Sequence, residues 1–304
     1  MIKVQKGMFH FLKEKDRINT KAKSKTAHKQ WGPLDLIAAK STDYGYDIRY
    51  KHLYENLFAD CWLNDRIIDG FNHVLKKENP NNRTIIIGVG ITIAKAADRT
   101  DIYSTIMEFE VKSILKCIRK TGAKLQKLTG STEKFYIKDL LVHFDCLCAP
   151  VVYADHYYVC FINFKRGVAT IMDGCNSSSE IYNKPEGAGE TLYRILFSLL
   201  YYHENIHPIN RFNINKIKII KMDIPRQNDG SNCGVVILMA IYVLMQDVDA
   251  KEFYDSKQYT RFREYIFYKL LENRDKEKTK DFPIPDKLEQ YLSSDDLKDC
   301  FKML

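Results

Sequence analysis

The chain has 304 residues, of which 45% are hydrophobic, so it is long enough to bury a substantial core. Its 47 basic and 39 acidic residues give a net charge of +8, a moderate excess that is compatible with an acidic partner surface. The eight cysteines are too sparse for a disulfide framework, no apolar run reaches the roughly 18 residues of a membrane span, and the first residues lack a signal-peptide core. These features exclude small secreted scaffolds and membrane proteins, and we expect an intracellular protein in a reducing compartment.

Residues 1–40 are predicted to form a basic N-terminal arm, and residues 41–304 are predicted to form one catalytic domain. Four lysines of the arm, at 21, 23, 25 and 29, fall in one stretch without apolar periodicity. Such a stretch is typical of a flexible, solvated extension, and it is also typical of segments that bind nucleic acid or direct nuclear import. Weak nucleic-acid contact through the arm is therefore an alternative that the sequence leaves open.

Hydrophobic periodicity predicts helices and strands in an order typical of an α+β fold. Residues 64–77 have helical spacing, and Asn64 suits the N-cap position. Residues 84–94 are predicted to form one or two buried strands, and alternating polarity predicts further strands within 135–164 and at 216–224. The other helices are predicted at 101–128, 189–204, 233–247 and 258–272.

The segment 228–234 leads from a turn-rich loop directly into a helix that is apolar on every side. A helix without a polar face has to be buried. Cys233 lies in the predicted first turn, where the helix dipole and the N–H groups of the backbone stabilise a thiolate and can hold an oxyanion. Taken alone, the segment is also compatible with a buried structural cysteine.

A histidine and an aspartate flank a predicted β-hairpin. His156 begins the first strand, and Asp173 follows the second strand, 168–172. Because the strands are antiparallel, both side chains come to the same end of the hairpin, with the register left open. A histidine oriented by a carboxylate is what a cysteine nucleophile needs. Asp155 is the alternative acid, although its place next to His156 should turn it to the other side of the strand.

The order and spacing of these residues resemble the SUMO-specific (Ulp/sentrin-type) cysteine protease family, of the adenain-like clan. In that family an acid follows the histidine by 17 positions and a glutamine precedes the nucleophile by six, as Asp173 follows His156 and Gln227 precedes Cys233 here. The Trp-Leu-Asn-Asp motif at 62–65 resembles the start of the family's catalytic domain. The resemblance implies a papain-like two-lobed fold with a central mixed sheet flanked by helices and the nucleophile at the N-terminus of a buried helix.

The resemblance also implies catalytic roles. Cys233 is expected to be the nucleophile, and His156 is expected to take its proton and later to protonate the leaving amine. Asp173 is expected to orient the imidazole, and Gln227 is expected to donate a side-chain N–H to the oxyanion. No cofactor is implied. The cysteines at 146, 148, 160 and 175 fit no common zinc spacing, so we expect no metal site.

Three residues are implied to bind the substrate. Trp62 resembles the residue that covers the Gly-Gly tail of the substrate, because a flat aromatic lid leaves room only for residues without a Cβ; core packing is the alternative. Asp65 belongs to the same motif. Tyr157 stands directly after the histidine, where the family usually has tryptophan, and Asn232 stands before the nucleophile, where the family usually has aspartate.

The function that the resemblance implies is cleavage after the C-terminal Gly-Gly of a ubiquitin-like modifier such as SUMO, both in precursors and in conjugates. The partners would be the modifier and its conjugates, and the compartment would be the nucleus or the cytoplasm. Two alternatives stay open. A viral or effector relative would cut polyproteins or conjugates in a host cell, and a non-catalytic relative would only bind a modifier.

Overall fold

The computed structural model describes residues 37–41, 46–49, 52–53, 61–89, 103–153, 156–174, 188–220, 224, 227, 229–246 and 257–273. Most of the predicted arm, Asp155 and Cys175 lie outside these described residues. The chain divides into two compact units: Met1–Val74, Asp229–Val235 and Asp249–Leu304 form the first, and Leu75–Asn228 and Val236–Val248 form the second.

The described chain has a consecutive run of strands in its middle and runs of helices elsewhere, which is typical of an α+β fold and confirms that prediction. The strands are β1 (Ile37–Ser41), β2 (Tyr46–Arg49), β3 (Thr84–Ile86), β4 (Cys146–Tyr153), β5 (His156–Asn163), β6 (Val168–Met172) and β7 (Lys218–Ile219). The helices are α1 (Asp65–Glu78), α2 (Tyr103–Leu128), α3 (Leu140–His143), α4 (Ala188–Asn205), α5 (Cys233–Gln246) and α6 (Lys257–Glu272).

A mixed five-stranded sheet, in the order β3-β4-β5-β6-β7, forms the centre of the second unit. The pairs β4–β5 and β5–β6 are antiparallel, whereas β3 and β7 pair in parallel at the two edges. On one face, Tyr158, Cys160 and Ile162 of β5 lie in a buried cluster with apolar side chains of α2 and α4. Side chains alternate between the two faces of a strand. His156, at the start of β5 and two residues before Tyr158, therefore lies on this same face.

The first unit contains the antiparallel pair β1–β2 and the packing of α1 against α6. The ring of Phe71 lies edge-on to Phe262 and Tyr265 of α6, with ring centroids 5.7 and 6.0 Å apart. Such edge-to-face pairs stabilise a core beyond the burial of their area. Strand β1 crosses the predicted domain boundary at residue 40, and that boundary stays a prediction.

Most predicted helices are confirmed to within two residues. At the start of α1 the side chain of Asn64 accepts a hydrogen bond from the backbone N–H of Arg66 at 2.9 Å, as expected of an N-cap. No helix among the described residues is long and apolar enough to cross a membrane.

The strand prediction was wrong at 137–143, and at two other places it is confirmed over fewer residues than predicted. Residues 137–143 form a 3-10 turn followed by α3, because the buried Ile137, Leu140 and Phe144 recur every three to four residues instead of every two. Of the predicted 84–94 and 216–224, only β3 and the two-residue β7 are strands among the described residues. Strand β7 is short because its residues lie exposed at a sheet edge.

Candidate active site

The strand register brings His156 and Asp173 together in the second unit. Val159 pairs with Met172, so the next position after β6, Asp173, lies opposite Tyr158. Residues directly opposite one another share a face, and so do residues two apart on one strand. His156 and Asp173 are therefore diagonal neighbours on the face that also carries Tyr158, which settles the register that the sequence left open.

The two side chains form a short hydrogen bond. Nε2 of His156 lies 2.7 Å from Oδ1 of Asp173, and the side chains are only 15% and 10% exposed. The ring of Tyr158 lies edge-on to the imidazole, with the centroids 4.6 Å apart. Because a carboxylate can only accept, the bond places a proton on Nε2, and partial burial strengthens it.

Gln227 lies beside this pair in the second unit. Its backbone N–H donates to the carbonyl of Gly174 at 2.7 Å, directly after Asp173. Gly174 also lies so close to α5 that a Cβ there would come within 2.8 Å of Val236 Cγ1. The turn after β6 is therefore fixed on two sides. The alternative acid, Asp155, lies outside the described residues.

Cys233 is the first residue of α5 and belongs to the first unit. Its side chain is 2% exposed, and residues 234–241, which follow it in the helix, are buried as predicted from their sequence. Gly234 packs against the Trp62 segment, since a Cβ on Gly234 would lie 2.9 Å from Cβ of Leu63. A thiol at this position lies next to helix N–H groups, which favour a thiolate.

Trp62 is held over the loop that precedes Cys233. Its indole N–H donates to the carbonyl of Gly230 at 2.9 Å, while the residue is 50% exposed. A half-exposed indole with a bonded N–H does not fill a core, so the structure favours a surface role over core packing.

The loop before Cys233 is tied to Asp229. One carboxylate oxygen accepts the backbone N–H groups of Ser231 and Asn232 at 2.9 and 2.8 Å, and the other accepts the side-chain amide of Asn232 at 2.7 Å. Desolvation would raise the pKa of Asp229, but these hydrogen bonds outweigh it and hold the pKa below its ordinary value. Asp229 therefore stays ionised and orders the loop at neutral pH.

Arg263 of α6 is a buried cation that the sequence analysis missed. The residue is 1% exposed, and its guanidinium donates to Oδ1 of Asn232 at 2.9 Å and to the carbonyls of Cys61 and Ser231 at 2.9 and 3.3 Å. It thereby joins the segment before Trp62 to the loop before Cys233. A signal was present in the sequence, since position 263 lies within the apolar stripe of α6, where a cation needs a buried partner.

The two other predicted substrate residues are Asp65 and Tyr157. Asp65 is exposed at the first position of α1. Tyr157 is buried, and alternation along β5 places its side chain on the sheet face opposite that of His156. Their roles in substrate binding stay predictions.

Three of the other described cysteines have the properties of structural thiols. Burial raises the pKa of Cys146 to about 11 and that of Cys160 to about 12, and it raises the pKa of Cys148 well above its ordinary value. Such thiols stay protonated and unreactive at neutral pH. Within the described residues, no group of three or more metal-ligating side chains comes together.

A sequence profile of the Ulp1 protease family, C-terminal catalytic domain, matches residues 62–277, which is more than half of the chain. The chain belongs to the Ulp1 protease family. The match contains every predicted site residue, from Trp62 to Cys233. Membership makes the chain a cysteine protease and confirms the resemblance that the motifs indicated.

Solved structures of Ulp1 proteases share the fold. The SUMO protease Ulp1 with its catalytic cysteine oxidised to a sulfenic acid aligns with a TM-score of 0.55 and 14% identity over 89% of this chain and 94% of that chain. The C-terminal Ulp1 protease domain in complex with Smt3, the yeast ortholog of SUMO, aligns with a TM-score of 0.53 and 18% identity over 86% of this chain and 95% of that chain.

The Ulp1-like SUMO protease catalytic domain of Chaetomium thermophilum aligns with a TM-score of 0.53 and 15% identity, over 84% of this chain and 87% of that chain. At these identities the likeness establishes the fold, and the Ulp-like fold prediction is confirmed. A comparison with curated proteins found no significant match.

Proposed function

We propose that this Ulp1-family protease cleaves after the C-terminal Gly-Gly of a SUMO-like modifier, using Cys233, His156, Asp173 and Gln227. The observation that carries the proposal is the 2.7 Å bond between His156 and Asp173 in a chain of this family. A cysteine protease needs a histidine held in one orientation and one tautomer, and this bond supplies both.

The proposed reaction begins at His156. Its Nε2 is engaged with Asp173, so Nδ1 takes the proton of the Cys233 thiol. The thiolate attacks the carbonyl carbon of the terminal glycine and gives a tetrahedral oxyanion. The oxyanion is stabilised by backbone N–H groups at the start of α5 and by the side-chain amide of Gln227.

The oxyanion then collapses, and the bond to the leaving amine breaks. The imidazolium of His156 donates its proton to that amine, which leaves as a lysine side chain or as the N-terminus of a peptide. Water, deprotonated by His156, attacks the remaining thioester and releases the modifier carboxylate and the Cys233 thiol. Asp173 stabilises the imidazolium in both halves of the reaction without taking the proton.

Trp62 is proposed to select a tail without side chains. Its exposed ring lies above the loop that precedes Cys233, held by the bond to Gly230. A strand of substrate that passes beneath a flat ring has space for glycine and none for a Cβ. One of the similar structures is bound to a SUMO ortholog, which supports a SUMO-like modifier as the substrate.

We expect the enzyme to act in a reducing compartment, the nucleus or the cytoplasm. The six described cysteines are free, which fits such a compartment. A viral or effector origin and nucleic-acid contact through residues 1–40 stay predictions.

The proposal is tested by cleavage of a SUMO precursor that carries residues beyond its Gly-Gly. Cys233→Ala removes the nucleophile, and we expect the rate to fall at least about 1000-fold. Cys117→Ala, in the half-buried part of α2, is the matched control and should keep the wild-type rate within about twofold. Measured cleavage by Cys233→Ala at a rate near that of Cys117→Ala would reject the assignment.

A precursor that ends in Gly-Ala tests the role of Trp62. Wild type should cleave it much more slowly than the Gly-Gly precursor, and Trp62→Ala should reduce that discrimination. If Trp62→Ala slows both precursors and the reaction with a small thiol reagent equally, Trp62 has a structural role only.

A further inference from the structure

One face of α2 carries a row of basic residues. Between residues 111 and 138 the sequence has eight basic residues and one acidic residue, Glu133, so this segment carries a net +7 of the chain's +8. At 3.6 residues per turn, the cations of α2 fall on one side, opposite the apolar residues that pack on the sheet. We name four of them the basic face: Lys116, Arg119, Lys120 and Lys127.

The basic face is exposed to solvent. All four residues are exposed, and within the part of the chain that the structure describes none of them forms an ion pair. The helix rises about 1.5 Å per residue, so the face is about 17 Å long. Four exposed cations in a row, with no ion pair to any described residue, create a positive potential. Such a potential attracts a polyanion.

An exposed aromatic ring lies next to this helix. The loop 131–138 packs on α2 through Phe135, whose ring would lie 2.4 Å from a Cβ on Gly122. Tyr136, the next residue, is exposed, and the ammonium groups of Lys134 and Lys138 lie 5.4 and 5.6 Å from the centre of its ring. The surface therefore combines the cations of the basic face with the aromatic ring of Tyr136, which lies close to two lysine ammonium groups.

We propose that the basic face and Tyr136 bind single-stranded nucleic acid. Lysine and arginine side chains neutralise successive phosphates, and an exposed aromatic ring stacks on a base, which is the combination that single-strand binders use. Duplex DNA hides its bases from such a ring, so single strands should bind better. An anionic membrane is disfavoured because the basic face carries no exposed aliphatic residue that could enter the lipid.

The test uses the full chain and fluorescein-labelled 20-residue strands of DNA and of RNA, with anisotropy measured between 50 and 200 mM salt. The double variant Lys116→Glu/Lys120→Glu should bind more than about 10-fold more weakly. Its slope of log affinity against log salt should shrink by about 1.4, since each lost phosphate contact removes about 0.7. Tyr136→Leu should weaken binding at least about fivefold with the slope unchanged, because only stacking is lost.

The matched control is Lys165→Glu/Arg166→Glu, which reverses the same charge at the exposed turn of the hairpin. It should keep most of the affinity, and circular dichroism should show that all variants are folded. The proposal is overturned if the two double variants lose the same affinity, if Lys116→Glu/Lys120→Glu binds like wild type, or if wild type binds phosphatidylserine vesicles but not the strands. Cleavage of a SUMO precursor is measured in parallel, so failure of this proposal is distinct from failure of the protease assignment.

Discussion

At the scale of single residues, the proposed chemistry rests on the bond between His156 and Asp173. Asp173 lies one position beyond β6, where the register puts it diagonally across from His156 on the same face. The hairpin pattern was sufficient to predict that the two residues meet at one end. The distance of 2.7 Å and the choice of Nε2 depend on side-chain geometry, which no spacing in the sequence determines.

Asp173→Asn should lower kcat by about 100- to 10,000-fold with a small change in KM. The amide can still occupy the space, but it stabilises the wrong tautomer and does not stabilise the imidazolium. Steady-state kinetics on a tail-extended modifier measures the effect. Asp155→Asn is the matched control and should keep near-wild-type kcat. The reverse ranking of the two variants would identify Asp155 as the orienting acid.

At the scale of elements, helix α6 holds the loop that leads to Cys233. The charge of Arg263 is buried against Asn232, Ser231 and Cys61. The sequence indicates that Arg263 is buried but not which groups it contacts, because the three acceptors are 31 to 202 positions away along the chain. Helix α5 was predicted to within one residue, by contrast, because its apolar sequence allows no exposed face.

Arg263→Lys should lower both stability and the reactivity of Cys233. An ammonium cannot donate to three acceptors in the directions of the guanidinium, and an unsatisfied buried group costs about 1–3 kcal/mol. Urea unfolding and the alkylation rate of Cys233 by iodoacetamide measure the two effects. Arg261→Lys, exposed on the same helix, should change neither. A stable Arg263→Lys variant with an unaltered alkylation rate would mean that Arg263 does not position the loop.

Lys76 near the end of α1 should make stability depend on alkaline pH. Burial lowers its pKa from 10.5 to about 8, while Cys148 acts in the opposite direction, and its ammonium donates to the carbonyl of Asn82. Between pH 8 and 10.5 the unfolded chain binds more protons than the native one, so the free energy of unfolding should rise with pH. The full contribution is at most about 3 kcal/mol.

Urea unfolding of wild type and Lys76→Met at pH 7, 8, 9 and 10 checks this dependence. As the pH rises, the free energy of unfolding of wild type should increase relative to that of Lys76→Met. The reason is that only wild type can release this proton. Lys77→Met, at the exposed neighbouring position, should give a constant difference. Parallel pH profiles for wild type and Lys76→Met would show that Lys76 keeps its ordinary pKa.

At the scale of the whole molecule, the motifs predicted the family and the α+β class, and they failed where tertiary context overrides the local pattern. Residues 137–143 were predicted as strand and are helical turns, because their apolar side chains are buried at helical spacing. The order and spacing of His156, Asp173, Gln227 and Cys233 can be read from the sequence, and their catalytic roles stay proposals. The supporting network of Asp229 and Arg263 cannot be read from it, because many residue types can order a loop.

The most direct test of the central claim is covalent capture with a panel of ubiquitin-like proteins, each carrying an electrophile at its C-terminal glycine. Wild type and Cys233→Ala are incubated with each protein, and adducts are identified by intact mass. We expect a one-to-one adduct with a SUMO-like modifier on wild type, mapped to Cys233 and absent from Cys233→Ala. An adduct that persists in Cys233→Ala, or no adduct with any modifier while Cys233 still reacts with iodoacetamide, would contradict the proposed function.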